Sequence, residues 1–468
     1  MSRAEALERL AAQEFDLLVI GGGIVGAGIA EAASARGLAV ALVDKGDFGG
    51  ATSSASSKLI HGGLRYLRLG DVGLVREAHH ERRVLMNVVA PHLVRRMPFL
   101  FPLYQGGPYR PWFVQSGILL YSTLARARLN GLVEVERALK MVPQLRGEQL
   151  RSCAFYADGW TNDGRLTLAN VRAAADRGAV VLNYAEVVGL RPPEVVADDR
   201  TITVRARMVV NAAGPWVDRV RRLEDPGARP SMRLSKGVHV VVEGGANWHA
   251  ALTIPHDKVR VSFAVPWEGM LLLGTTDTEH DGEPETASVT DADVRQVLDE
   301  ASVAVADIGL PRATFCGLRV LPGGVGGTAS ARRETVFSTG PGGMVSVAGG
   351  KLTTYRRIAL DALDQLGVRG LSRRPCPLPG ATGLDRIAWP MELDPTTRAH
   401  LLHLYGSLAL EVLAPAADDP SLLERLVPDR PDLRAQETYA RTHEWALTDE
   451  DVTRRRTTAW LTTARAQV

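Results

Sequence analysis

A glycine-rich turn between two short apolar runs constrains the fold of this chain more than any other feature. Three glycines with G-x-G-x-x-G spacing follow the first run and precede a stretch of small residues: Gly21, Gly23 and Gly26. The second run ends at Asp44, 18 residues beyond the last glycine. In dinucleotide-binding units the turn and the helix N-terminus bind pyrophosphate, and the acid accepts ribose hydroxyls. The sequence therefore predicts a nucleotide-binding βαβ unit at residues 15–44.

The loop after Asp44 favours FAD over NAD as the nucleotide. Residues 49–66 are dense in serine, threonine and glycine, and they contain Lys58 and His61. An NAD enzyme normally passes from the acid directly into another helix. A loop rich in hydroxyl groups can follow an extended cofactor and form hydrogen bonds with it repeatedly.

Composition excludes several classes of protein. With 468 residues, 45% hydrophobic and 23% charged, the chain predicts a soluble globular protein of roughly two to four domains. A net charge of +2 gives no basis for a nucleic-acid partner. Three widely spaced cysteines indicate a reducing cytoplasm, and their spacing predicts neither a disulfide framework nor a metal site: Cys153, Cys316 and Cys376.

No segment has the pattern of a secretory signal or a membrane span, so we expect a cytoplasmic protein. Residues 109–128 leave contact with the inner face of the membrane open, because Trp112 and Phe113 lie in an apolar run that ends near Arg126 and Arg128. Aromatic residues beside basic ones can lie in a lipid headgroup layer, but such a run can equally form a buried helix.

Residues 51–67, A-T-S-S-A-S-S-K-L-I-H-G-G-L-R-Y-L, closely resemble the flavin loop of FAD-dependent glycerol-3-phosphate dehydrogenases, within the D-amino-acid-oxidase-like flavoproteins. Further segments resemble the same family: N-A-A-G-P-W at 211–216, S-K-G-V-H at 235–239, G-T-T-D at 274–277 and G-G-K-L-T-T-Y-R at 349–356. The resemblance runs from about residue 15 to 457. The chain departs from the family pattern at three places. Val320 stands where a proline is usual, the segment 323–327 is unusually rich in glycine, and the hairpin after Tyr184 is shortened.

The resemblance implies an α/β fold, α+β overall, with three parts. These are a discontinuous Rossmann-like FAD-binding domain (14–110, 151–225 and 335–375), an inserted antiparallel-sheet substrate domain (226–334) and a C-terminal helical domain (381–468).

The activity that the resemblance implies is oxidation of sn-glycerol 3-phosphate to dihydroxyacetone phosphate, by hydride transfer to flavin N5, with the electrons passed to quinone. This chemistry needs cations for the phosphate dianion and for the reduced flavin, and a group that takes the hydroxyl proton. The predicted catalytic residues are His61, His239, Arg319 and Lys351. The predicted substrate-binding residues are Arg65, Tyr66, Thr275, Arg332 and Arg333. The predicted FAD-binding residues are Gly21, Gly23, Gly26, Asp44, Lys45, Thr52, Ser53, Ser54, Lys58, Leu59, His61, Gly62, Gly214, Gly350, Lys351, Leu352 and Thr353.

Several alternatives stay open at the level of sequence. The same site could belong to a glycerol-3-phosphate oxidase that produces hydrogen peroxide, or to a flavin-binding protein that acts by interaction without catalysis. The catalytic base is either His61 or His239, and only one of Arg332 and Arg333 is expected to contact substrate. The sequence leaves open whether the chain forms a homodimer and whether the shortened loops reduce activity.

Overall fold

The computed structural model describes residues 1–63, 71–125, 131–258, 260–323 and 335–462. Within these ranges the chain forms nineteen strands, which are in order β1 (Glu14–Ile20), β2 (Val40–Val43), β3 (Leu59–Ile60), β4 (Arg95–Tyr104), β5 (Gly131–Val133), β6 (Leu150–Trp160), β7 (Val180–Leu182), β8 (Glu186–Leu190), β9 (Pro193–Ala197), β10 (Arg200–Thr203), β11 (Arg205–Asn211), β12 (Met232–Val242), β13 (Ala251–Pro255), β14 (Val261–Trp267), β15 (Met270–Gly274), β16 (Thr278–His280), β17 (Pro311–Pro322), β18 (Thr335–Thr339) and β19 (Val345–Gly349). The α-helices of the same ranges are α1 (Arg3–Ala12), α2 (Ile24–Ala35), α3 (Val72–Val84), α4 (Pro111–Ala125), α5 (Val135–Met141), α6 (Asp163–Asp176), α7 (Val217–Glu224), α8 (Asp291–Ser302), α9 (Tyr355–Gln365), α10 (Pro395–Tyr405), α11 (Ala409–Leu413), α12 (Arg434–His443) and α13 (Asp449–Asp451).

The first sheet contains the predicted βαβ unit. Its strand order is β18-β19-β11-β1-β2-β7, and β1 pairs in parallel with both β2 and β11. The helices α2, α6 and α9 pack together on this sheet, and a Cβ at Gly28 of α2 would come 2.8 Å from the Tyr355 ring of α9. Small residues in α2 therefore allow close packing, as the sequence predicts. The strand β2 begins at Val40 because the Leu38 N–H still closes the C-terminal turn of α2 by donating to Ala33 O.

The second sheet is large and mixed. Its order is β16-β12-β15-β14-β13-β4-β6-β3, with β17 paired to β12 and β5 to β6. The pairings are antiparallel except that β13 and β4 run in parallel. Strands β3 to β6 come from residues 59–160, so the sheet extends beyond the inserted segment 226–334. This arrangement brings the polar loop after Asp44 to the edge where the two sheets meet.

A small third sheet follows β7, which is an edge strand of the first sheet. Strands β8, β9 and β10 form an antiparallel sheet, and Asp198 and Asp199 make its tight turn at φ of +49° and +56°. Aspartate tolerates this left-handed conformation better than most residues. The predicted short hairpin after Tyr184 is thus three strands with brief connections.

The C-terminal part is helical, as predicted. Helices α10 to α12 enclose an apolar core that includes Leu401, Leu404 and Tyr439. A Pro/Gly-containing link at 375–380 precedes it.

Helix α4 has two different faces. It buries Val114, Ile118 and Tyr121 against the second sheet, while the exposed fractions of Trp112 and Leu119 are 63% and 61%. Neither this helix nor any other within the described ranges is both long and apolar enough to cross a membrane.

Candidate active site

One cavity of about 1770 Å³ lies between the first and second sheets. Its lining comes from four parts of the chain. These are the glycine turn after β1 (the phosphate turn, 21–26), the polar loop after β2 (residues 45–63), the second sheet and the segment that leads into α9. The predicted site residues that line it are Gly21, Gly23, Asp44, Lys45, Thr52, Ser53, Leu59, His61, Gly214, His239, Thr275, Arg319, Gly350, Lys351, Leu352 and Thr353. Gly26, Ser54, Lys58 and Gly62 lie outside this lining, while Arg65, Tyr66, Arg332 and Arg333 lie outside the described residues.

The turn after β1 lies close to neighbouring parts of the chain because its glycines carry no side chain. Gly21 has φ +103°, and a Cβ there would come 2.6 Å from Ala212 O. A Cβ at Gly26 would collide with Gly21 O, so Gly26 supports the turn from behind without lining the cavity. Gly23 is the N-cap of α2 and has no capping side chain of its own, although Ile24 N donates to Ser53 Oγ at 2.9 Å. This is the shape of a pyrophosphate site at a helix N-terminus.

Asp44 lies at the end of β2 with its carboxylate turned toward the same turn. Its oxygens accept from Gly22 N at 2.6 Å and from Gly46 N at 2.9 Å. Burial raises the pKa of Asp44 to about 6, although these two backbone N–H groups act in the opposite direction. A carboxylate so placed can accept further hydrogen bonds from a ribose. Its neighbour Lys45 forms an ion pair of 2.7 Å with Glu285 and lies 4.0 Å from the centre of the Trp216 ring.

The polar loop joins the two sheets through its hydroxyl groups. Thr52 Oγ1 donates to Leu318 O of β17 at 2.8 Å. The backbone of His61 exchanges two hydrogen bonds with Thr353 Oγ1, at 3.1 and 3.2 Å, which ties the loop to the start of α9. Behind the loop, Lys58 donates to Asp163 at 2.6 Å in a buried ion pair. The lysine therefore supports the loop from the side away from the cavity.

Arg319 of β17 provides positive charge in the second sheet's part of the cavity. Its guanidinium donates to Thr275 Oγ1 at 2.8 Å and to Thr276 O at 3.1 Å, and it lies 3.7 Å from Asp277. A Cβ at Gly237 of β12 would collide with this guanidinium, so the glycine leaves room for it. The arginine is thereby held in one orientation while still lining the cavity.

His239 of β12 lies beside this arginine in the same cavity. Its Nε2 is 2.9 Å from Ser57 Oγ, and its ring stacks on Phe315 at 4.9 Å. Burial, followed by the charges of Arg319 and Lys58, holds the pKa of His239 well below its usual value. The imidazole is therefore neutral at neutral pH.

Lys351 follows two glycines at the end of β19. Gly349 and Gly350 have φ of +77° and +86°, and Lys351 is the N-cap of the short helical turn Leu352–Thr354 that leads into α9. A Cβ at Gly350 would collide with Ile358 of α9. The turn therefore brings both the lysine and a helix N-terminus to the cavity.

An aromatic arm extends the cavity away from the nucleotide turn. Phe99, Phe101, Tyr156 and Phe263 line it, and helix α4 closes its far side with its inward residues, such as Ile118. Phe99 and Tyr156 stack at 5.1 Å between ring centres. Such a wall suits an apolar molecule.

The fold brings to the site several residues that the sequence motifs did not indicate individually. Ser57 contacts the His239 ring, Thr276 positions Arg319, and Asp47 is buried beside the nucleotide turn. Ser57 lies within the quoted loop and Thr276 within G-T-T-D, so both motifs contained the signal. No nearby sequence pattern marks Asp47, because its partners Asn183, Arg455 and Arg456 lie far along the chain.

Comparisons with known proteins agree with this geometry. Residues 16–356 match the family described as FAD dependent oxidoreductase, and residues 373–468 match the C-terminal domain of alpha-glycerophosphate oxidase. The chain is 38% identical to the glycerol-3-phosphate dehydrogenase of Mycobacterium leprae (strain TN), over 97% of this chain and 82% of that protein. It is 33% identical to the corresponding protein of Synechocystis sp., over 95% of this chain and 88% of the relative.

Solved structures show the same fold. The X-ray structure of the glycerol-3-phosphate dehydrogenase from Bacillus halodurans complexed with FAD has a TM-score of 0.76 and 29% identity, and it covers 98% of this chain and 88% of its own. The L-alpha-glycerophosphate oxidase from Mycoplasma pneumoniae, with a TM-score of 0.61 and 17% identity over 78% of this chain and 99% of its own, shares the fold. This protein is therefore an FAD-dependent oxidoreductase, and the chain belongs to the glycerol-3-phosphate dehydrogenase family.

Proposed function

We propose that this protein oxidises sn-glycerol 3-phosphate at C2 to dihydroxyacetone phosphate. The observation that carries the proposal is the fixed guanidinium of Arg319 in the cavity, beside a neutral, buried His239. A phosphate dianion needs a cation with a bidentate fork, and Arg319 offers one whose orientation Thr275 and Thr276 hold. Relatives named glycerol-3-phosphate dehydrogenase at 33–38% identity support the same substrate.

FAD fits the other side of the cavity. The phosphate turn at Gly21 and Gly23 would hold its pyrophosphate, Asp44 its ribose, and Lys351 the electron-rich end of its ring system. When bound, FAD supplies the two-electron acceptor for the hydride that leaves C2. The charge on Lys351 then offsets negative charge that accumulates nearby during the reaction.

His239 is the group we propose to accept the C2 hydroxyl proton. Its pKa is low because burial and two cations disfavour the imidazolium. A substrate dianion bound by Arg319 would offset part of this positive field and so raise the pKa of His239 when the proton must be taken. The Ser57 hydroxyl at Nε2 keeps the ring fixed during this step. His61 stays the alternative base, because it lines the same cavity.

A membrane quinone is the electron acceptor that we propose. The aromatic arm leads from the cavity to helix α4, whose outer face exposes Trp112, Phe113, Leu119 and Leu120. Exposed apolar residues on one helix face beside an apolar channel favour contact with a lipid surface and entry of a lipid-soluble acceptor. The protein would then bind the inner face of the membrane peripherally.

Anaerobic reduction of the flavin tests the substrate first. Adding sn-glycerol 3-phosphate to the holoprotein without oxygen is expected to bleach the flavin band, whereas glycerol 1-phosphate of the opposite configuration serves as the control. A flavin that stays oxidised at millimolar sn-glycerol 3-phosphate would contradict the proposal.

The acceptor is tested by reoxidation of the same sample. Rapid recovery with a soluble quinone and slow recovery with oxygen are expected for a dehydrogenase. Fast recovery with oxygen, accompanied by stoichiometric hydrogen peroxide, would instead identify an oxidase.

A further inference from the structure

Asp47 is a buried carboxylate three residues after Asp44, and most of its hydrogen bonds come from the C-terminal domain. Its Oδ1 accepts from Arg456 Nη2 at 2.8 Å and from Asn183 Nδ2 at 3.0 Å. Its Oδ2 accepts from Arg455 Nε and Arg456 Nη1. The exposed fractions of Asp47 and Arg456 are 4% and 0%, so separating the pair would leave a buried charge without its partner.

Arg456 is also fixed on its other side. Its Nε and Nη2 donate to Glu444 O at 3.1 and 2.6 Å. The Glu444 carboxylate in turn accepts two hydrogen bonds from Arg165 of α6, at 2.6 and 2.7 Å. The segment 444–456 is therefore bound to the nucleotide-binding domain at two points.

The loop that contains Asp47 contacts the phosphate turn directly. Besides the bond from Gly22 N to Asp44, Gly49 N donates to Gly22 O at 3.0 Å. A Cβ at Gly22 would collide with the Phe48 ring, and Phe48 itself packs edge-on against Trp445 at 5.7 Å. A displacement of this loop would therefore move both the carboxylate and the turn that face the nucleotide.

We infer that the C-terminal domain is part of the FAD-binding machinery and that Arg456 is a positioning residue, acting through Asp47. Docking of segment 444–456 holds the loop after β2 in the shape that the adenosine half of FAD requires. Arg455, which binds Asp47, also lines the cavity. Because coupling between two binding events is reciprocal, FAD must in turn stabilise the docked C-terminal segment.

Titration of apoprotein variants tests this coupling. Arg456→Met is expected to weaken the binding of FAD and of ADP by about tenfold or more, a coupling factor typical of linked sites. Arg456→Lys keeps the charge but loses the planar fork, so its affinities for FAD and ADP are expected to lie between those of the wild type and of Arg456→Met. The control is Arg434→Met, since Arg434 lies in the same domain but forms an exposed pair with Glu424, 3.1 Å away and outside the segment 444–456.

The affinities for the two nucleotides decide the outcome. Equal FAD affinity in the wild type and a folded Arg456→Met variant would overturn the inference. So would weaker binding of FAD with unchanged binding of ADP, because the loop faces the adenosine half.

Hydrogen exchange of the wild-type protein provides a second test that does not depend on the folding of a variant. Adding ADP to the apoprotein is expected to slow amide exchange in residues 444–456 by about threefold or more. The amides at the start of α12, around Arg434, serve as an internal reference. Unchanged exchange rates in that segment at saturating ADP would refute the coupling.

Discussion

At the scale of one residue, hydrogen bonds orient the Arg319 guanidinium within the cavity. Its guanidinium donates to the Thr275 hydroxyl and to the Thr276 carbonyl, and the Asp277 carboxylate lies 3.7 Å away. These contacts hold the guanidinium in one orientation in the cavity, where it would form charge-assisted hydrogen bonds with a phosphate dianion.

Replacing Arg319 by methionine is therefore expected to lower kcat/KM for glycerol 3-phosphate at least about 30-fold, or about 2 kcal/mol. FAD content should stay unchanged, because the predicted FAD contacts lie in other segments. Steady-state kinetics and the flavin-to-protein absorbance ratio measure the two effects. The matched control is Arg312→Met, on the same strand but paired with Glu243. If Arg319→Met had the same kcat/KM as Arg312→Met, the assignment of Arg319 as a substrate-binding residue would be contradicted.

Asp44 is the residue through which we expect cofactor binding to depend on pH. Because its pKa is raised to about 6 by burial, the folded apoprotein binds a proton more tightly than the unfolded chain. Between its ordinary pKa and about 6, this group's contribution to the free energy of unfolding falls as pH rises.

Ribose hydroxyls favour the ionised carboxylate, so the dissociation constant of FAD is expected to be flat above a pH of about 6. Below it, the constant should rise by up to about tenfold per pH unit, as one proton competes with the nucleotide. Fluorescence titration of the apoprotein between pH 5 and 8 measures this, with Asp44→Asn as the variant that should lose the dependence. A wild-type profile identical to that of the asparagine variant would show that Asp44 does not titrate on binding.

At the scale of one element, helix α4 has an apolar outer face that the protein core does not use. Val114 and Ile118 pack inward, whereas the exposed fraction of Phe113 is 49%. The sequence left two possibilities for this run, a buried helix or a membrane contact, and the helix buries one face while it exposes the other.

The double variant Trp112→Ser/Phe113→Ser is expected to reduce co-sedimentation with anionic lipid vesicles at least about tenfold, since each buried aromatic side chain contributes roughly 1.5–3 kcal/mol. Anaerobic flavin bleaching by glycerol 3-phosphate should be unaffected. Leu310→Ser is the control, because Leu310 is 65% exposed at another place on the surface. Equal sedimentation of the double variant and the wild type would exclude α4 as the lipid contact.

At the scale of the whole molecule, buried ion pairs hold the C-terminal domain to the rest. Arg165 and Glu444 have exposed fractions of 5% and 6%, and they join α6 to the end of α12. A buried pair of this kind contributes little over an apolar contact, but loss of one partner is costly.

Glu444→Ala is expected to lower the free energy of unfolding by about 3–5 kcal/mol, because the Arg165 guanidinium would stay buried without a counter-charge. Urea unfolding of the holoprotein measures the change. Glu437→Ala removes the half-exposed partner of Arg441 in the same helix, and its effect should be about 0–1 kcal/mol. Similar losses for the two variants would mean that the Arg165 pair is not a main support of the domain.

The sequence by itself determined the βαβ unit, the FAD family, the helical C-terminal part and the segments that surround the cavity. Each of these depends on local patterns: glycine spacing, apolar runs and contiguous motifs within a few tens of residues. It also indicated Arg319, Thr275 and Lys351, because each lies within a motif whose residues are adjacent in the chain.

Only the tertiary structure decided which of these residues meet and how. Ser57 and His239 are 182 positions apart, and Asp47 and Arg456 are 409 apart, so nothing local predicts either contact. The ion pair of Lys58 with Asp163 behind the loop is equally unpredictable from local sequence. The motif around Lys58 had indicated a contact with the cofactor. Burial, hydrogen-bond partners and pKa shifts arise from packing between distant segments, and they exist only once the two sheets and the C-terminal domain have come together.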